Sequence, residues 1–157
     1  MRRRRFLYVA ASAATVSCGR APSPWRFFTA AEARTITALT EQLIPADQDP
    51  GAGWAGVVRF IDRQLAGRWR GLQKTYREGL AQVDRTSRER CGAPFVELPA
   101  ERQAEVLAAL EKERFFQTLL SHTMQGFYGD PRHGGNREAV SWKMLGVPYP
   151  QIRGRVT

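Results

Sequence analysis

Apolar side chains recur at three- and four-residue steps through nearly the whole chain, and this spacing constrains the fold more than any other feature. Trp54, Val57, Val58, Ile61 and Leu65 keep it, and Trp69, Leu72, Tyr76, Leu80 and Val83 repeat it. Such steps place side chains on one face of an α-helix, whereas a half-buried strand needs a period of two. No segment alternates over strand length and no internal repeat is visible. Thr29 followed by Glu32 reads as a capping box opening a helix whose apolar face holds Ile36, Leu39, Leu43 and Ile44, with Pro45 as its stop. Turn-rich ADQDPGAG separates it from the Trp54 helix, for which Gly67 is a plausible end. Pro99 sits at a helix start ahead of Val106, Leu107 and Leu110, and Phe115, Phe116, Leu119, Leu120 and Thr123 give the next face. The expected fold is all-α: an irregular bundle of about five or six helices with a glycine-rich C-terminal cap segment. At 157 residues the chain fits one domain.

Residues 1–24 read differently from the body at 25–157. MRRRRFLYVAASAATVSCGRAPSP has a basic start, an uncharged stretch over residues 6–17, then polar, proline-rich sequence. That order is an export leader, and the apolar run is shorter than the roughly 20 residues of a spanning helix. Arg3, Arg4, Phe6 and Leu7 fit a twin-arginine motif, R-R-x-F-L, whose translocase carries folded cargo; the plainer reading is a Sec leader with extra arginines. Cys18 stands where a lipoprotein carries its modified cysteine, although Thr15 replaces the usual Leu. The expected location is the periplasmic face of the cytoplasmic membrane, with a lipid anchor if Cys18 is modified. Removing Arg2 to Arg5 at the start of the leader lowers the net charge from +9 to about +5. That charge does not require nucleic acid, and no recognition-helix pattern concentrates the arginines.

The chain has little equipment for catalysis. It has two cysteines and two histidines, and no Cys-x-x-Cys-His, Walker loop, dinucleotide fingerprint, His-Glu-x-x-His or Gly-x-Ser-x-Gly. No catalytic, cofactor-binding or metal-binding residue is assigned. His122, in an aromatic helix, reads as a packed or surface residue, and His133 as a loop residue in an interface or a local hydrogen bond. Whether Cys18 is lipidated or cleaved away, Cys91 has no internal partner, which leaves an intermolecular disulfide or a buried free thiol.

The end of the chain, GFYGDPRHGGNREAVSWKMLGVPYP, looks like an active-site loop but reads as a cap. Gly129-Asp130-Pro131 signals a turn, Gly134 and Gly135 permit positive φ, and Asn136 suits the N-cap of a short helix over residues 137–145. Val147-Pro148-Tyr149-Pro150 then leaves in extended form. Trp142 serves either as the core anchor of this cap or as part of a partner surface. Phe127, Tyr128, Asp130, Arg132, His133, Asn136, Trp142, Lys143 and Tyr149, together with Cys91, form the candidate interface, because Tyr, Trp and Arg carry much of the energy at protein contacts.

These residues carry a resemblance. GFYGDP at residues 126–131, GGN at 134–136 and WKM at 142–144 with Gly146 and Pro148 resemble the C-terminal signature of the gluconate 2-dehydrogenase subunit 3 family. Phe28-Thr29, Leu43-Ile44-Pro45-Ala46-Asp47 and Phe60-Ile61-Asp62 agree upstream. The resemblance implies a non-catalytic small, or gamma, subunit of a membrane-bound FAD-dependent sugar or sugar-acid dehydrogenase. Its partner would be a flavoprotein large subunit of the glucose-methanol-choline type, often joined by a multihaem cytochrome c. The small subunit would support maturation and twin-arginine export of that partner, with FAD held there and not in this chain. A lipid-anchored periplasmic scaffold without a dehydrogenase is the alternative; a stand-alone periplasmic enzyme and a nucleic-acid binder rank below it.

Overall fold

Why the chain turns where it does is clearest at the first helix. In a computed structural model, which describes residues 23–147, Thr29 Oγ1 accepts from Glu32 N at 3.2 Å and the Glu32 carboxylate accepts from Thr29 N at 2.8 Å. This reciprocal pair opens α1, Ala30–Leu43. Glu41 then organises the exit: its carboxylate accepts from Ala46 N at 2.9 Å and Gly53 N at 2.6 Å, folding the connector back on the helix.

The expected Trp54 helix is two elements. Gly56, at φ +75°, separates α2, Ala52–Ala55, from α3, Val57–Ala66. The break rotates Trp54 off the buried stripe, and its ring is 42% exposed while Val57, Ile61 and Leu65 are fully buried. A 3-10 turn, Arg70–Leu72, precedes α4, Gln73–Cys91, so Trp69 and Leu72 lie ahead of the helix that the spacing had given them. Gly92 caps α4 in the left-handed region at φ +74°. After a 3-10 turn, Phe95–Glu97, come α5, Ala100–Leu110, and α6, Arg114–Tyr128. Two 3-10 turns, Pro131–His133 and Arg137–Ala139, lead to α7, Val140–Met144.

Seven α-helices and no strand among the described residues make an irregular all-α bundle. Its centre is one continuous cluster in which Ile36, Leu39, Ile61, Tyr76, Leu119 and Phe127 are completely buried. Burying each such side chain stabilises the fold by about 1.5–3 kcal/mol. The packing of α4 on α6 is close: a Cβ at Gly79 would stand 2.0 Å from the Phe115 ring. No helix among the described residues is long and apolar enough to cross a membrane.

The segment before α1 is fastened to the bundle. The Asp62 carboxylate, on α3 and 3% exposed, accepts from the amides of Arg26, Phe27 and Phe28 at 2.8, 3.0 and 3.0 Å. From α4, Arg77 donates to the Phe27 carbonyl at 3.1 Å, lies over the Phe27 ring at 4.4 Å and pairs with Glu32. Residues 23–28 thus form a strap across α3 and α4 at the start of the described chain.

Candidate functional site

The cap is built on α6 by close backbone approach. A Cβ at Gly135 would stand 2.1 Å from the Gly126 carbonyl oxygen, and one at Gly126 would meet Phe60 at 2.9 Å. Gly134 takes a positive φ of +104°, as the double glycine suggests, but Gly135 is required by contact with α6 rather than by φ. Asn136 is the latch. Its Nδ2 donates to the Gly129 carbonyl at 2.8 Å and its Oδ1 accepts from Ser141 N at 3.0 Å. It caps α7 as its residue type suggests, but across a left-handed stretch: Asn136, Glu138 and Ala139 have φ of 44°, 55° and 54°. That stretch delays the helix, so α7 starts at Val140 and not at residue 137.

Asp130 caps the preceding turn, accepting from Arg132 N at 2.9 Å. The Arg132 guanidinium grips the same carboxylate at 2.5–3.0 Å and holds its pKa down at about 2. Asp130 is therefore a charged turn residue at neutral pH, not a proton donor.

The interface residues expected from the sequence separate into groups. Tyr128, Arg132, His133 and Lys143 are exposed on the cap face. Phe127 is fully buried, and so is Asn136; both shape the surface from within. Trp142 is half-buried rather than a core anchor, with its Nε1 donating to the Tyr128 carbonyl at 2.8 Å. Tyr149, like Arg3, Arg4, Phe6, Leu7 and Cys18, lies outside the described residues. Cys91 is a half-buried free thiol packed against the core, and the structure does not bring it to the cap. Tyr76 meets His122 and Gly79 meets Phe115, so α4 and α6 run antiparallel. Cys91 lies about 18 Å beyond Gly79 along α4, in the direction away from Tyr128.

Between the cap and α3 runs an open groove of about 680 Å3, lined by Phe60, Trp69, Met124, Tyr128 and His133 with Gln64, Arg68 and Asp130 at its edge. Met124 and Tyr128 are exposed there. Trp69 and Met124 carry no partner signal in the sequence, because Trp69 reads as a helix-face residue and Met124 as an ordinary α6 position. Beneath the groove, Trp69 stacks on His122 at 3.7 Å between ring centres and the Tyr76 hydroxyl meets His122 Nδ1 at 2.8 Å. Burial lowers the His122 pKa to about 4 and raises that of Tyr76. At neutral pH the imidazole is therefore neutral, and it shares one hydrogen bond with the phenol through Nδ1. The pair is a satisfied core contact, as the packed reading of His122 anticipates.

Apolar and aromatic residues with a few charged groups at the rim suit protein docking better than turnover. Among the described residues, no group of three or more His, Cys, Asp or Glu could hold a metal ion. No curated protein and no solved structure matches the chain. A family model does, over residues 30–148, which run from α1 through the cap. On that match the chain belongs to the gluconate 2-dehydrogenase subunit 3 family.

Proposed function

We propose that this chain is the non-catalytic small subunit of a periplasmic or membrane-bound FAD-dependent dehydrogenase of the gluconate 2-dehydrogenase type. By its name the family is one subunit of a dehydrogenase complex, and the match across residues 30–148 is the observation that carries the reading. The groove beside the cap supports it, offering Trp69, Met124 and Tyr128 to a partner. In this reading the partner is the flavoprotein of the glucose-methanol-choline type, which holds the FAD and performs the oxidation, and a cytochrome c completes the assembly. The leader, with Arg3 and Arg4, carries both proteins through the twin-arginine translocase.

Affinity purification of a tagged copy from native membranes tests the reading. It should return a stoichiometric flavoprotein with flavin absorbance and dye-linked dehydrogenase activity on sugars or sugar acids. A solitary, colourless protein would overturn it in favour of a lipid-anchored scaffold, for which Cys18 is the motivating residue. For the export role, Arg3→Lys with Arg4→Lys should strand the dehydrogenase activity in the cytoplasm; unchanged periplasmic activity would remove the hitchhiking step.

A further inference from the structure

Arg59 and Arg63 stand one turn apart on the exposed side of α3, and Arg26 of the strap joins them around a cleft of about 170 Å3 above Asp62. Arg63 continues onto the cap, where a Cβ at Gly134 would stand 2.9 Å from its Nη1. The next step is Arg137: a Cβ at Gly56 would lie 3.5 Å from the Gly134 carbonyl oxygen and 3.9 Å from Arg137 Nη2. The Arg137 guanidinium lies over the Trp54 ring at 5.4 Å. Four guanidinium groups thus form one band from strap to cap. None of the ion pairs among the described residues involves any of the four. The acid within the band, Asp62, is buried with both oxygens turned to the strap amides. Glu138, next to Arg137 in the chain, is exposed and makes none of those pairs.

Two further observations say what the band meets. Its cap end carries Trp54, 42% exposed beside Arg137; arginine with an exposed aromatic ring is the composition of a surface that settles at a lipid headgroup layer. The strap that supplies Arg26 also joins the body directly to the leader, whose Arg2 to Arg5 and uncharged run precede it in sequence. A leader held at a bilayer therefore brings Arg26 to the same surface. We infer that Arg26, Arg59, Arg63 and Arg137 dock this face on the anionic phospholipid surface of a membrane, with Trp54 at headgroup depth. The inference does not rest on the dehydrogenase partner.

The test is sedimentation of the full chain with phosphatidylcholine vesicles made with and without phosphatidylglycerol. The pair Arg59→Gln/Arg63→Gln is compared with Arg85→Gln/Arg90→Gln on α4, which changes net charge equally and keeps the leader. Binding should require phosphatidylglycerol, fall with added salt, and weaken about tenfold for the α3 pair while the α4 pair binds as wild type. Equal weakening by both pairs, or binding without phosphatidylglycerol, would overturn the proposal. So would an α3 pair that still binds vesicles but no longer co-purifies the flavoprotein, which would give the band to an acidic protein surface. Should the α3 pair fail to match the wild-type thermal melt, Arg26→Gln/Arg137→Gln replaces it with the same expectation.

Discussion

His122 gives the bundle a pH dependence of predictable sign. Its folded-state pKa of about 4 lies below the ordinary histidine value of 6.5, because burial disfavours the imidazolium. The unfolded chain therefore binds the proton more readily, and the neutral histidine's contribution is fully present above pH 6.5. It is lost as pH falls from there to about 4, by roughly 2–3 kcal/mol. Urea midpoints measured across that window should drop accordingly, and His122→Gln should flatten the drop; an unchanged slope in the variant would place the titration elsewhere. Asp62 acts through different physics, as an acceptor for three amides. Asp62→Ala should cost about 2–4 kcal/mol and expose the amides of Arg26, Phe27 and Phe28 to hydrogen exchange. Native protection at those three amides would show that the strap is held by other means. The packed state of His122 was legible from its aromatic helix. The role of Asp62 was not, since the sequence offers only an acid in an apolar stripe and its partners lie more than 30 positions away.

At the scale of elements, the sequence spoke most clearly where the physics is local. The capping box of α1 and most of the stripes of α3 through α6 depend on neighbours within one or two turns, and they are found where the spacing puts them apart from Trp54, Trp69 and Leu72, which fall outside α3 and α4. The cap shows the opposite case. Its turn at Asp130-Pro131 was readable, but the left-handed run from Asn136 to Ala139 depends on a side chain bonding to both Gly129 and Ser141. The break at Gly56 was hidden too, because a glycine within an apolar periodicity does not announce that it takes a positive φ of +75°. Gly135→Ala should therefore dislodge the cap from α6, with loss of near-ultraviolet signal from Trp142 and far-ultraviolet helix content largely kept. Asn136→Ala should do the same at a cost of about 1–3 kcal/mol, because it leaves the buried Ser141 amide and the half-buried Gly129 carbonyl without this partner. A variant with native cap spectra would show that the glycine contacts suffice without the latch.

Taken whole, the molecule divides its surface: the groove lies on one flank of the cap and the arginine band on the other, with Gly134 and His133 between them. Tyr128→Ala should weaken flavoprotein capture about tenfold while leaving vesicle binding and the melting profile intact, because its ring is exposed and only its carbonyl holds Trp142. Retention of full capture would move the docking site off the groove. Fold class and family were readable from the sequence, but the division of faces was not, because it arises where α3, α6 and the cap meet. The strap also fixes an order in time. Phe27 is made 50 residues before Arg77, the residue that donates to its carbonyl. At ribosomal rates of about 5–20 residues per second, roughly 3–10 s pass before the second half of the clamp has been synthesised. During that interval the first residues of the body emerge unfastened, so a factor that meets the chain early meets a different object from one that arrives after α4 is complete.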